Sequence, residues 1–211
     1  MYTPEHFAVT DSAEIDALLR QMPFGSLITH GPMGLFASQL PLIHDAASGL
    51  LCGHLARANP HRDRAEADGE ALVIFQGANA YVSPNWYRSK AEHGRVVPTW
   101  NYETVHVYGR IGWREEPDWL LANVTALTER FEADQPKPWA VADAPAEHVE
   151  RLLRGIIGVE LRIERIEAKR KLSQNRSDAD RQGVISGLSA GASDQGRAVA
   201  RAMRGLDGKG A

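Results

Sequence analysis

The sequence has one cysteine, Cys52, and no large excess of either charge. A single cysteine cannot form an intrachain disulfide or a zinc site of several thiolates, so a disulfide scaffold is excluded. The formal net charge of −3 over 211 residues argues against a protein that binds DNA mainly by electrostatic attraction. A hydrophobic fraction of 43% in a chain of this length predicts one globular core.

Standard catalytic motifs are also missing. The chain has no Gly-x-Ser-x-Gly, no His-Glu-x-x-His, no Walker loop and no glycine-rich dinucleotide motif, so a hydrolase or kinase has no support. Cys52, His54 and His61 come nearest to a metal-binding group, but no second ligand pair follows at a familiar spacing. We therefore predict no metal site and name no catalytic residue.

No segment predicts export or a membrane span. The first residues include Glu5 and have neither the basic nor the apolar region of a signal peptide. Residues 21–44 contain no Asp, Glu, Lys or Arg, but glycines, prolines and polar residues interrupt them, which favours a buried hairpin over a membrane helix. The sequence predicts a cytoplasmic protein without membrane contact.

Short strand-like runs dominate the chain from Phe24 to Trp113. Their apolar residues alternate or cluster over strand lengths, and Gly and Pro separate them. Helical spacing then begins after Pro117 and again from about Pro145, before a final strand over residues 158–169. The predicted fold is mainly β with inserted helices. The predicted strands before the first of these helices are residues 24–30, 35–43, 50–56, 71–77, 80–84 and 103–113.

The last part of the chain has a weaker pattern. A short helix is predicted over residues 178–188, and a helix-like run, AVARAM, follows within a passage rich in Gly, Ser and Ala. Because five glycines after Ser189 dilute any core-forming pattern, we expect a domain over residues 1–188 and a peripheral or flexible tail over residues 189–211.

Four runs concentrate amide, hydroxyl, cationic and aromatic side chains: CGHLARANPHR, FQGANAYVSPNWY, VPTWNY and KLSQNR. Such groups together suit a large planar heterocycle with a charged phosphate tail. Turn chemistry at strand ends is the alternative, and for any one run alone it is the better explanation.

Read together, the runs GHLARANP, FQGANAYVSPNWY, VPTWNYETVHVYG and KLSQNRSDADRQGVI closely resemble the PaiB-type family of negative transcriptional regulators. This family is a branch of the FMN-binding split-barrel superfamily, and the resemblance extends from MYTPEHF to about Leu188. It implies a split β-barrel that binds FMN and forms a homodimer, with the cofactor site at the subunit interface.

The resemblance also implies which residues bind FMN. One strand would pass along the flavin ring, the next strand and its loop would hold the ribityl chain or phosphate, and two further segments would close the site. Arg57 and Lys171 are the cations that we expect at the phosphate. The strand residues are Ala37, Ser38, Gln39 and Leu40, the next group is His54, Leu55, Ala56, Arg57 and Asn59, and the closing residues are Thr99, Trp100, Asn101, Lys171, Ser173 and Gln174.

Three functions are compatible with these observations. The family resemblance implies a flavin-linked regulatory protein. An FMN-dependent oxidoreductase that uses NAD(P)H or oxygen on a small molecule is the first alternative, since flavin itself performs redox chemistry. A flavin-independent DNA-binding repressor is the second. Arg197, Arg201 and Arg204 share one helix face and favour it weakly, whereas the net charge and the lack of a helix-turn-helix pattern argue against it.

Overall fold

The computed structural model describes residues 1–207, and a seven-stranded sheet organises them. The strand order is β1-β7-β4-β3-β2-β5-β6, and β7 also pairs with β6, which closes the strands from β2 to β7 into a ring. The predicted mainly β fold with inserted helices is confirmed. The strands are β1 (Ala8–Val9), β2 (Phe24–Gly31), β3 (Gly34–Asp45), β4 (Leu50–Ala56), β5 (Glu70–Val82), β6 (Thr99–Arg114) and β7 (Ile156–Lys171).

Seven α-helices lie between or after these strands. The two predicted inserted helices are present between β6 and β7, and the first of them begins at Pro117, as predicted. No described helix is long and apolar enough to cross a bilayer. The helices are α1 (Ser12–Gln21), α2 (His61–Arg64), α3 (Ser89–His93), α4 (Pro117–Glu132), α5 (Ala146–Leu153), α6 (Asp178–Ala190) and α7 (Asp194–Asp207).

The chain divides into two compact units. The barrel unit comprises Ser12–Phe75 and His106–Ile166, and the C-terminal unit comprises Met1–Asp11, Gln76–Val105 and the described residues from Glu167 onward. Neither unit ends after residue 188, where we expected the domain boundary.

Alternation of buried and exposed side chains shapes the barrel unit. On β3, Ser38, Leu40 and Leu42 are buried, whereas Ala37 and Gln39 on the alternate positions are exposed. This period of two is what a strand with one face toward a core requires. The antiparallel register pairs Ala37 with Ile28 and Gln39 with Ser26 on β2.

Close backbone contact between β6 and β7 depends on a glycine. A Cβ atom at Gly109 would lie 2.0 Å from the carbonyl oxygen of Arg162, a distance at which the backbone itself would have to move. Only a residue without a side chain fits there, which explains a glycine at an inward position of an otherwise apolar strand.

The C-terminal unit has its own core, to which α7 contributes. Val199, Ala200 and Met203 on α7 are completely buried, and they pack in one cluster with Val184 and Leu188 of α6. Residues 194–207 are therefore not a peripheral or flexible tail, and our expectation for them is corrected. Gly196 lies on this buried face beside Leu188, Gly205 is exposed, and residues 208–211 lie outside the described residues.

Candidate functional site

The predicted site residues fall into two groups, one in each unit. In the barrel unit, the structure brings Ser38 and Asn59 together and adds His61, which we did not name as a site residue. Asn59 donates through Nδ2 to Ser38 Oγ at 3.1 Å and accepts the backbone N–H of His61 at 3.0 Å. The Nδ1 atom of His61 lies 2.9 Å from the same Ser38 Oγ.

His61 is completely buried beneath β3. Its Nε2 lies 2.9 Å from Thr29 Oγ1, so both ring nitrogens contact hydroxyl groups. Burial lowers the pKa of His61 to about 4, because a charged imidazole loses hydration there. One nitrogen of the neutral ring therefore donates a hydrogen bond and the other accepts one. The contact with Ser38 holds β3, whose exposed face carries Ala37 and Gln39.

The remaining predicted strand residues differ in what they can offer a ligand. Leu40 and Leu55 are 1% and 6% exposed, so their side chains belong to the core. Ala37, Gln39 and Ala56 are exposed. A ligand could meet the two leucines only through their backbone.

Arg57 is already paired within the barrel unit. Its guanidinium donates to Glu115 at 2.7 Å and to the backbone oxygen of Arg154 at 3.0 Å. Arg62 forms a second ion pair with Glu115 at 2.5 Å. The hydrogen bond from Arg57 and the positive charge of both arginines lower the pKa of Glu115. Arg57 therefore has a permanent anionic partner in its own chain.

His54 is directed at α4. Its Nδ1 lies 3.1 Å from Oδ1 of Asn123, and its side chain lines a large apolar cavity beside that helix. The structure thus separates His54 from the group formed by Ser38 and Asn59.

The second group forms a small polar cavity of about 110 Å³ in the C-terminal unit, which we call the Lys171 pocket. Four of the closing residues that the family resemblance implies, Thr99, Asn101, Lys171 and Ser173, come together there. Its lining consists of Phe7, Tyr87, Thr99, Asn101, Lys171, Ser173, Asn175 and Arg176.

Hydrogen bonds hold the walls of the Lys171 pocket. The Lys171 ammonium donates to Thr99 Oγ1 at 2.7 Å and to the backbone oxygen of Trp100. Asn101, which is completely buried, donates through Nδ2 to Ser173 Oγ at 3.0 Å. Ser173 itself has a φ of +66°, a left-handed conformation at the turn that follows β7.

Charge in this pocket is not balanced. Among residues 1–207, Lys171 forms no ion pair, whereas the charge of Arg176 acts on the buried Asp180 and helps to lower the pKa of that carboxyl. Burial lowers the pKa of Lys171, and the positive charges of Lys169 and Arg176 lower it further. A bound anion would relieve this repulsion, because opposite charge favours the protonated amine.

Tyr87 adds an unused polar atom to the same pocket. The residue is 3% exposed, and its hydroxyl makes no hydrogen bond of good geometry with the described residues, although Arg176 lies near enough to oppose the rise in the Tyr87 pKa that burial causes. The Arg176 guanidinium lies 4.9 Å from the centre of its ring. A buried hydroxyl without a partner is costly, so this atom indicates a ligand with acceptor oxygens. A phosphate group fits the donors of the Lys171 pocket in charge and in hydrogen bonding.

Sequence reasoning did not select Tyr87, Asn175 or Arg176, although all three lie in the polar runs that it singled out. Of the six predicted closing residues, two lie outside this cavity. Trp100 is 53% exposed and contacts the ring of Tyr81, with centroids 6.3 Å apart. The Gln174 side chain binds the backbone of Leu172 and Arg170, and so shapes the turn.

Comparison with protein families identifies a match over residues 1–165, to the model described as "Putative FMN-binding domain". Among curated proteins, the chain is 35% identical over 190 residues to "Protease synthase and sporulation protein PAI 2" of Bacillus subtilis strain 168. That alignment covers 89% of this chain and 89% of the relative.

Solved structures share the fold at low sequence identity. The FAD and heme binding protein from Mycobacterium smegmatis has a TM-score of 0.59 at 19% identity, covering 85% of this chain and 80% of that chain. The flavocytochrome Anf3 from Azotobacter vinelandii has a TM-score of 0.58 at 12% identity, covering 78% of this chain and 69% of that chain. These similarities concern the arrangement of strands and helices.

Proposed function

Since the chain belongs to the PaiB-type family of FMN-binding proteins, we propose that it is a flavin-linked regulatory protein that holds FMN by its phosphate in the Lys171 pocket. FMN is the cofactor of this family. The regulatory role rests on the family relationship, and the position of the phosphate rests on the structure of the pocket.

The observation that carries the phosphate assignment is the Lys171 ammonium, which has no carboxylate partner among the described residues, in one pocket with the buried hydroxyl of Tyr87. A phosphate monoester has close to two negative charges at pH 7 and three acceptor oxygens. Charge-assisted hydrogen bonds to such a group contribute about 1.5–3 kcal/mol each. Arg57 is less suited, because its guanidinium already donates to the Glu115 carboxylate and to the backbone oxygen of Arg154.

When bound, FMN supplies the capacity for electron transfer through its ring system. The residues of this chain orient and retain it. Lys171, Ser173 and Asn101 would hold the phosphate end.

Homodimerisation is the second part of the proposal. Phe24, Met33 and Leu35 of the β2–β3 hairpin are 60%, 68% and 75% exposed, and such a group of large apolar side chains is typical of an interface. Light scattering should give about twice the chain mass of 23.2 kDa. Leu35→Asp should shift the protein toward a monomer, and a native protein that is monomeric at micromolar concentration would contradict the shared site.

The described structure gives little support to a flavin-independent repressor. Of the three arginines on α7, Arg197 pairs with Asp194, and Arg204 donates to Ser189 Oγ at 2.6 Å. A carboxylate thus pairs with one of the three charges that would meet DNA phosphates, and electrostatic affinity scales with the number of such contacts.

Anaerobic reduction separates the regulatory role from the oxidoreductase alternative. The FMN-loaded protein should keep its visible absorption when NADH or NADPH is added without oxygen, since we expect a bound flavin that reports or regulates. Rapid bleaching by either nucleotide would instead assign the protein to the FMN-dependent oxidoreductases. Chemical reduction by dithionite is the control, because it should bleach the bound flavin in both cases.

A further inference from the structure

The barrel unit contains a second cavity that the flavin assignment does not use. It has a volume of about 730 Å³ and lies between α4, α5 and the segment that joins them. Sites for small molecules have volumes of about 300–1,000 Å³ and mostly apolar walls. The Lys171 pocket has a volume of about 110 Å³, which is smaller than this range.

The walls of this α4–α5 cavity are apolar and remain partly open. Phe131, Trp139 and Leu152 line it and are 46%, 47% and 56% exposed. A hydrogen bond of 3.0 Å from the Trp139 backbone to the Glu132 side chain holds the connecting segment against the end of α4. Large side chains kept around an open apolar space indicate a binding surface.

Two imidazoles give the cavity its polar character. His54 donates through Nδ1 to the buried Asn123 Oδ1 at 3.1 Å, since an amide oxygen can only accept. This contact fixes the tautomer and leaves a lone pair on Nε2. On the opposite wall, Arg151 donates to His148 Nδ1 at 2.7 Å, so the proton of the neutral His148 lies on Nε2. The cavity thus has one hydrogen-bond acceptor, Nε2 of His54, and one donor, the Nε2–H group of His148.

Charge decides which ligands fit. Glu132 is the single Asp, Glu, Lys or Arg among the described residues that line the cavity. A phosphate or carboxylate would find no cation there, whereas a neutral molecule would meet no unfavourable charge.

We propose that the α4–α5 cavity binds a neutral, ring-containing hydrophobic molecule whose hydroxyl or N–H group donates to Nε2 of His54. This site is separate from the flavin phosphate pocket and goes beyond the proposed regulatory function. Its ligand class follows from complementarity: aromatic walls for the rings, and a fixed imidazole lone pair for one donor.

Three naphthalene probes test the proposal by calorimetry on the FMN-loaded protein. 2-Naphthol has a donor, 2-methoxynaphthalene lacks it, and naphthalene-2-carboxylate is an anion. We expect one 2-naphthol per chain, bound about 3- to 10-fold more tightly than 2-methoxynaphthalene, as for one hydrogen bond. The carboxylate should bind most weakly. Equal binding of 2-naphthol and 2-methoxynaphthalene, or tightest binding of the carboxylate, would overturn the proposal.

Matched variants locate the probe. His54→Phe keeps a planar ring without the lone pair, so it should abolish the preference for 2-naphthol. Leu152→Asp should weaken all three probes at least about 5-fold, because it places a charge in the apolar wall. Leu121→Asp changes an exposed leucine of α4 outside the cavity and should have no effect. Equal effects of the two aspartates would overturn the site.

Two readouts keep this test separate from the flavin proposal. The visible absorption of FMN should be unchanged in Leu152→Asp and Leu121→Asp, which reports intact folding and flavin binding. Light scattering should also be unchanged in Leu152→Asp. If that variant alone converted a dimer to a monomer, a second copy of the chain would be the occupant and the proposal would fail.

Discussion

Truncation after Ala190, which removes residues 191–211, is expected to unfold the C-terminal unit. The deletion uncovers the α6 face on which Val199, Ala200 and Met203 are completely buried. Burial of these three side chains contributes about 4–7 kcal/mol, a large part of the 5–15 kcal/mol by which domains are usually stable. Chemical unfolding followed by circular dichroism measures the loss.

Point variants provide the control for this deletion. Met203→Ala should lower the free energy of unfolding by about 2–5 kcal/mol, because it leaves a cavity in the cluster. Arg201→Ala, on an exposed position of the same helix, should change it by less than about 0.5 kcal/mol. A truncated protein that unfolds at the same denaturant concentration as the full chain would show that α7 is dispensable.

Lys171→Ala is expected to weaken FMN about 10- to 150-fold while leaving riboflavin almost unaffected. Riboflavin lacks the phosphate, so it cannot gain the charge-assisted hydrogen bond worth about 1.5–3 kcal/mol. Fluorescence titration of both flavins into the native and variant proteins, with circular dichroism to confirm folding, gives the four dissociation constants.

Arg57→Ala is the matched cation control. Because Arg57 is paired with Glu115 and partly exposed, its loss should change FMN affinity by less than about 1 kcal/mol. A larger effect of Arg57→Ala than of Lys171→Ala would place the phosphate in the barrel unit. Equal weakening of FMN and riboflavin by Lys171→Ala would move Lys171 from the phosphate to the ring or the scaffold.

Much of the fold could be predicted from local pattern. The strand over residues 50–56 agrees with β4 at both ends, and α4 begins at the predicted Pro117. These elements have strong alternation or helical spacing and clear boundary residues. Residues 71–77 and 80–84, predicted as two strands, fall mostly in one strand, β5, which continues through Gly77 and ends at Val82.

The role of α7 could not be predicted, since its composition resembles a linker. Its apolar residues are few, and burial of Val199 and Met203 depends on the partner surface of α6 and β5. Tertiary packing supplies most helix stability in proteins, so a weak local pattern does not show that a helix is peripheral.

Part of the candidate site could also be predicted. Resemblance selected Thr99, Asn101, Lys171 and Ser173, which share one pocket although about 70 residues separate the two pairs. It did not reveal that Arg57 forms an ion pair with Glu115, because an ion pair between distant residues leaves no sequence signal. The unpartnered Tyr87 hydroxyl is likewise visible only once its surroundings are folded.

A crystal structure of the FMN complex tests the central assignment most directly. The account predicts phosphate oxygens within about 3.2 Å of Lys171 Nζ and within hydrogen-bonding distance of Ser173 or Tyr87. The Arg57–Glu115 pair should remain intact in the same crystals. A phosphate bound to Arg57, with Glu115 displaced and the Lys171 pocket without an anion, would contradict it.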